Sequence, residues 1–306
     1  MGRFNGGKMQ LTIFTPTYNR RHTLNVAYEA LKRQTSKEFE WLIIDDGSMD
    51  GTGELVSKWI KEETDFIIRY IYKENGGLHT GYNVAIENIE TELCVCVDSD
   101  DFMPDNAVES ILSFWNEYGS DKYAGIVGLD YDLEGKVIGD FLPEQKSINL
   151  IDLLLGKYDI CNGDRKNVVR TKLYKEVAPM KSFDGEKNFN PHYMHLLISK
   201  KYDFLVLNQN LCYVDYQEDG MTASIFKQYR NSPNSFLEIR KLYLSFENAP
   251  WKFIIKNTIH YISSSILAKK FIVSIKESSR KWLTIISIPA GVVLSIIICW
   301  KAKKRG

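Results

Sequence analysis

Four apolar runs recur through the first hundred residues: Leu11–Phe14, Trp41–Ile44, Ile67–Tyr72 and Cys94–Val97. Each has strand length, and their Ile, Val, Phe, Tyr and Trp residues suit a pleated surface. The stretches between them have helical period. Leu24, Ala27, Tyr28 and Leu31 share one stripe of a helix expected to run from a Thr23 cap to Arg33. Leu55, Val56, Trp59 and Ile60 follow Thr52 in the same way, and Tyr82 to Ile89 reads as a third helix. Strand–helix alternation predicts a parallel sheet covered on both faces, because parallel neighbours need a crossover and the crossover lies over a face. The chain is expected to be α/β, with a doubly wound sheet.

Each run ends in a polar or glycine-bearing loop. The first runs into Thr15-Pro16-Thr17-Tyr18-Asn19-Arg20, and Pro16 is expected to end the strand because it cannot donate to a central ladder. The others end in Asp45-Asp46-Gly47-Ser48, in Asn75-Gly76-Gly77-Leu78-His79 and in Asp98-Ser99-Asp100-Asp101. Parallel strands gather such loops on one edge, where open α/β sheets bind ligands. The acidic run needs a counter-charge, since crowded carboxylates repel and lose hydration. On an extended backbone Asp98 and Asp100 would point to one face. Two such oxygens suit Mg²⁺ or Mn²⁺, which fill their shells with phosphate oxygens and water. The plainer alternative is a solvated acidic turn before a helix starting at Pro104 and Asp105. A nucleotide diphosphate would fit the edge as a whole. Neither Gly-x-x-x-x-Gly-Lys nor Gly-x-Gly-x-x-Gly follows the first strand, which removes the main support for P-loop and dinucleotide-binding readings.

Taken in register, Thr15 to Arg20, Ile44-Asp45-Asp46-Gly47-Ser48 with Asp50-Gly51-Thr52, Asn75-Gly76-Gly77 with Asn83, and Asp98-Ser99-Asp100-Asp101 resemble a family 2 glycosyltransferase of the GT-A fold. The resemblance implies a mixed sheet with a nucleotide-binding half and an acceptor-binding half. It implies an inverting transferase using a nucleotide-diphosphate sugar, a UDP-sugar in our expectation, and a divalent metal. By the family pattern Thr15 and Asp46 contact the nucleotide, Asp98 touches ribose or metal, and Asp100 holds the metal. Pro16, Tyr18, Gly76, Gly77, Asn83 and Ser99 join the donor set, and His79 is a candidate phosphate contact. Two alternatives stay open: a non-catalytic sugar-nucleotide-binding relative, and a sugar-phosphate nucleotidyltransferase, which would normally show a glycine-rich motif after the first strand.

The second half is less regular. A helix from Pro104, strands at 124–131 and 136–141, a helix at 147–155 and a strand at 168–170 are expected. Phe183-Asp184-Gly185-Glu186-Lys187 and Tyr216-Gln217-Glu218-Asp219-Gly220-Met221-Thr222 resemble segments of bacterial enzymes that build surface and capsular polysaccharide. Inverting transfer needs a base for the acceptor hydroxyl. After Gly185-Glu186-Lys187, Pro191-His192 stands where relatives carry Pro-Glu, so His192, Glu186 and Asp184 are the base candidates, with Glu218 and Asp219 next.

The formal charge is zero, 39 basic against 39 acidic residues, but it is split. From Trp251 onward eleven Lys/Arg face one acid, Glu277, leaving 28 basic and 38 acidic residues in 1–250. The tail's charges flank an apolar run, so a membrane surface, not nucleic acid, is its expected partner. Residues 282–300 carry no charge, with Trp282 and Trp300 at the ends; at about 1.5 Å per residue a straight helix would just span a hydrocarbon core. Pro289 and Gly291 allow a kink or re-entrant turn. The expected organisation is a catalytic domain at 1–230 (about 9–103 for the donor, 104–230 for the acceptor), a helical, basic amphipathic linker at 231–281, a membrane-embedded or re-entrant helix at 282–300, with a buried core helix as the plainer alternative, and a basic tail at 301–306. Five cysteines, Cys94, Cys96, Cys161, Cys212 and Cys299, have no zinc spacing and read as reduced thiols. The polar, glycine-rich first ten residues do not read as a signal peptide. A catalytic body at the cytoplasmic face of the membrane is therefore expected, with a glycan or polyprenyl-linked acceptor.

Overall fold

The computed structural model describes residues 9–160, 163–216 and 224–304. Cys161, Glu218 and Asp219 lie outside them. Residues up to Met180, together with Met194–Tyr216, form one compact unit; Lys181–Tyr193 and the residues from Gln217 onward form the other. This differs from a catalytic domain at 1–230: Asp184, Glu186 and His192 group with the C-terminal helices.

The first unit is built on an eight-stranded mixed sheet. Strands β1 (Leu11–Thr17), β2 (Phe39–Asp45), β3 (Ile67–Tyr72) and β4 (Leu93–Cys96) are its parallel part. The crossovers are α1 (Arg21–Lys32), α2 (Thr52–Glu62) and α3 (Leu78–Asn88). Leu11 and Ile13 face one side and join Tyr28, Trp41 and Trp59 in the core, where Tyr28 and Trp59 stack at 4.3 Å. Phe14 faces the other side and meets Tyr82 edge-on. The rest comprises α4 (Ala107–Tyr118), β5 (Tyr123–Tyr131), β6 (Ser147–Ile148), α5 (Leu150–Leu154), β7 (Arg165–Arg170), α6 (Thr171–Val177), α7 (His192–Ser199) and β8 (Asp203–Tyr213). The strand order is β3-β2-β1-β4-β7-β5-β8-β6, with β7 antiparallel to both β4 and β5.

Several sequence expectations are corrected here. Pro16 does not end β1. It pairs in register with Ile44, while β4 stops opposite Phe14. The Phe14 carbonyl accepts the Val97 N–H, so Pro16, two residues on, faces the side where β4 has ended and no donor is missed. Residues 136–141 form no strand and contribute only a bridge from Val137 to Tyr131. Residues 147–155 divide into β6 and α5, with the Asn149 side chain capping the helix at the Ile151 N–H.

The second unit is helical: α8 (Ile225–Asn231), α9 (Pro233–Leu244), α10 (Trp251–Leu267), α11 (Phe271–Glu277), α12 (Lys281–Ile286) and α13 (Ile288–Lys304). α10 packs against α9 and α13. The uncharged run expected as one helix is broken at Ser287, and among the described residues no helix is long and apolar enough to cross a membrane. Pro289 stands at the second position of α13, where its missing N–H costs nothing.

Candidate functional site

The C-terminal edge of β1, β2 and β4 brings together most of the residues expected at the donor site. Asp46, just past β2, is 4% exposed, and its carboxylate is fully engaged. Oδ1 accepts the Gly76 N–H at 2.9 Å and the Lys73 ammonium; Oδ2 accepts the Gly77 N–H at 2.7 Å and the Asn75 amide at 3.1 Å. Gly77 has φ +94°, which lets the chain fold back onto the carboxylate before α3 begins. Asp46, Gly76 and Gly77 therefore bond one another and close a ring at this edge. Asn83 is likewise committed: its amide donates to the Met180 carbonyl at 3.0 Å and accepts the Met180 N–H at 2.8 Å. Asp45 is occupied by the Ser48 N–H and the Tyr70 hydroxyl.

Thr15 and Tyr18 lie at the end of β1, and His79 at the start of α3. Thr15 is buried and accepts the Trp41 indole N–H at 3.0 Å, which leaves its own hydroxyl proton to donate. Tyr18 is half exposed beyond Pro16. The loop carrying it is fixed by Asn19 Oδ1 on the Met49 N–H and by Asp50 on the Arg21 N–H. His79 is buried in the first turn of α3.

The acidic run is a turn, not an extended segment. β4 ends at Cys96 and the Asp101 N–H bonds the Asp98 carbonyl at 3.1 Å, so strand alternation does not set the direction of Asp98 and Asp100. The turn is clamped from β8: Phe102 and Tyr213 exchange backbone hydrogen bonds and stack, and Asp101 Oδ1 accepts the Asp215 N–H. Ser99 is buried, Asp98 is exposed and Asp100 is intermediate. Burial, then the charge of Asp98, raise the Asp100 pKa above the usual carboxylate range. Asp101 points inward, where Lys166 of β7 lies 3.9 Å from it and 3.7 Å from Asp130 of β5. Burial pushes Asp101 up to about 8 and Asp130 up to about 6, in both cases against the attraction of Lys166.

Lys166 is the counter-charge of Asp101 and Asp130, and the sequence reading did not single it out. It stands some seventy residues downstream in a strand of ordinary polarity, and only the antiparallel placement of β7 brings it there. Lys73, in the loop directly after β3, was not singled out either, because nothing in its sequence shows that its ammonium turns back to Asp46.

Among the described residues no group of three His, Cys, Asp or Glu side chains is placed to hold a metal ion. Asp98 and Asp100 still fit one. They sit within each other's field, and among the described residues neither makes an ion pair, since Lys166 serves Asp101 and Asp130. Two oxygens with an otherwise open shell match a hard cation that keeps water and phosphate ligands.

In the second unit Glu186 is buried, and both oxygens are taken by the start of α9. They accept the Asn234 N–H (2.8 Å), the Asn234 amide (2.7 Å), the Ser235 N–H (2.8 Å) and the Ser235 hydroxyl (2.7 Å). A carboxylate holding these four donors caps the start of α9. Asp184 is exposed on the turn before it. His192 is partly buried at the start of α7, its N–H bonded by Asn190 Oδ1 at 2.8 Å, and burial lowers the ring to about 4.

Comparison with known proteins agrees with this edge geometry. The "Glycosyl transferase family 2" profile matches residues 12–137. Glycosyltransferase GlyA of Streptococcus pneumoniae is 32% identical over 116 residues, 38% of this chain and 16% of that protein. The first relatives are thus matched over only 16% and 17% of their own length. A Campylobacter jejuni protein, GalNAc(5)-diNAcBac-PP-undecaprenol beta-1,3-glucosyltransferase, is 22% identical over 76% of this chain and 74% of its own. Among solved structures, Staphylococcus aureus TarS 1–349 in complex with UDP-GlcNAc superposes with TM-score 0.58 at 18% identity, over 92% of this chain and 89% of that one. The mannosyltransferase PcManGT from Pyrobaculum calidifontis, in complex with GDP-Man and Mn²⁺, gives TM-score 0.58 at 14% identity, over 95% and 88%. With the four strand-end motifs in the order found here, residues 12–137 match the pattern of a glycosyltransferase family 2 domain, on a mixed α/β sheet of the GT-A kind.

Proposed function

We propose that the protein is an inverting glycosyltransferase. It moves a sugar from a UDP-sugar to a hydroxyl of a glycan or polyprenyl-linked acceptor in bacterial surface polysaccharide synthesis, at the cytoplasmic face of the membrane. One observation carries the reading: on the ligand-binding edge of the sheet, Asp98 and Asp100 make no ion pair among the described residues while the adjacent Asp101 is neutralised from within. The TarS complex with UDP-GlcNAc and the lipid-linked substrate in the Campylobacter relative's name support the choice of donor and acceptor.

In this mechanism Asp98 and Asp100 would hold Mg²⁺ or Mn²⁺, which when bound neutralises the charge of the departing diphosphate. Thr15, Pro16 and Tyr18 line the end of β1 for the base and ribose, and the Thr15 hydroxyl is a free donor for them. The Asp46 ring holds the 73–77 loop still, which fixes His79 at the start of α3 for the phosphates. The acceptor oxygen forms a bond to the anomeric carbon as the bond to the diphosphate breaks, and the hydroxyl proton passes to a base. His192 is our choice for that base, with Asp184 as the alternative. It is neutral at working pH, and it occupies the sequence slot of the relatives' acid.

The test is UDP release from a panel of UDP-sugars, with Mn²⁺ and with EDTA. Release should need metal and vanish in Asp100→Asn while the fold persists. Release unchanged in EDTA overturns the metal role. Donor binding without release in any condition means a non-catalytic relative.

A further inference from the structure

We propose that α10 to α13 are a one-leaflet anchor built inside out, packing on one another through small polar residues and presenting Trp282, Ile286, Val293 and Ile296 to the acyl chains of an anionic membrane. This rests on the membrane-surface reading above and adds the face, the depth and the topology.

The burial pattern is inverted. Among described residues from 251 onward, the buried side chains include ten Ser, Thr and Asn but only five apolar residues. Twelve of the 22 exposed large hydrophobic side chains among the described residues lie in the same segment. Trp282 is 80% exposed, Ile286 74% and Ile296 62%. A helical bundle made for water does the reverse.

The seams match an apolar solvent. A Cβ at Gly291 of α13 would sit 2.4 Å from Ile262 Cγ2 of α10, so these helices approach more closely than a larger residue allows. Three buried hydroxyls are returned to their own helices, Thr258 donating to the Ile254 carbonyl at 2.8 Å, Ser265 to Ile262 at 2.7 Å and Ser295 to Val292 at 2.7 Å, while the Ser263 hydroxyl is left without a partner among the described residues. Ser278 and Thr284 bond each other at 2.7 Å. None of the bonded groups needs water, and small residues with satisfied hydroxyls are how helices associate when lipid surrounds them.

Depth and charge fix the topology. From Ile288 to Trp300, α13 offers about 20 Å of uncharged helix before Lys301, short of the roughly 30 Å hydrocarbon core. α12, before the Ser287 break, has six residues. These helices enter a leaflet and do not cross. Glu277, the one acid from 251 onward, is neutralised by Lys241 at 2.7 Å, and Lys252, Lys256 and Lys281 are exposed. These charges complement anionic headgroups.

The test uses the full chain, floated with phosphatidylcholine vesicles with or without phosphatidylglycerol. The protein should float with the anionic vesicles. Ile286→Glu with Ile296→Glu, at exposed positions where circular dichroism should be unchanged, should cut the floated fraction at least roughly tenfold. Brominated acyl chains should quench tryptophan fluorescence, less so in Trp282→Phe. If the double variant floats as well as the parent, this face is not in the lipid, although the membrane reading stands. If the parent floats with neither vesicle, both fall. A lipid-free dimer that the double variant dissociates, without flotation, assigns the face to a second copy and overturns the proposal. UDP-sugar binding, read by thermal shift, should be the same throughout, which keeps the transferase reading apart.

Discussion

Lys166 sets how the acidic turn behaves. Lys166→Met removes the cation shared by Asp101 and Asp130, and breaking a buried pair in this way costs about 3–5 kcal/mol. Urea denaturation at pH 7 should show that loss. The sign with pH follows from the raised carboxyl values. A carboxyl whose folded pKa exceeds its unfolded one binds more protons in the folded state, so stability falls as pH rises between the two. Without Lys166 both carboxyls rise further, and the variant should recover stability on acidification from pH 7 toward 5 more than the parent does. His192 and His260 run the other way. Burial lowers each to about 4, so the unfolded chain takes up protons between about 6.5 and 4 that the folded chain refuses. Their contribution is complete above pH 6.5 and is lost as pH falls toward 4, and His260→Phe should flatten the acid limb of a denaturation series. The same value changes how a His192 base is recognised. Its acid limb would lie near 4, like that of a carboxylate, so the pH profile alone does not separate His192 from Asp184. His192→Ala against Asp184→Asn does: the residue that matters should lose about 10²–10⁴ in turnover with little change in donor affinity.

At the scale of elements, the four parallel strands and their crossovers were legible because a covered parallel strand must be apolar and its helices must be amphipathic. The strand-end loops were legible as a cluster for the same topological reason. What each loop residue touches was not. Asp46, Gly76 and Gly77 read as a ligand-facing set, yet they close on one another, because the sequence gives no sign of whether a carboxylate's donors come from a ligand or from a neighbouring loop. Asp98 and Asp100 read as alternating strand positions, but β4 stops two residues before the first of them. Glu186 shows the limit most clearly. Its partners, Asn234 and Ser235, stand nearly fifty residues away at the start of α9, where the orphan N–H groups of a new helix need an acceptor. Glu186→Gln should destabilise the C-terminal unit by about 2 kcal/mol, seen as a lower urea midpoint, while Asp184→Asn should leave the midpoint unchanged.

For the whole molecule, the apolar tail reads from composition as membrane-seeking, an expectation that our anchor proposal carries forward, while its helical geometry depends on one break. Ser287 and Pro289 turn a stretch long enough to span into two pieces that are each too short. A helix that crosses a bilayer must match its thickness, and proteins with such helices are sorted by that match. A pair of helices lying in one leaflet has no thickness to match; it responds to how tightly the lipids above it are packed. Binding should therefore change little when acyl chains are lengthened at constant headgroup. It should rise on small, highly curved vesicles, where gaps between headgroups admit Trp282 and Ile286, so the chain would find its place in an envelope by local curvature.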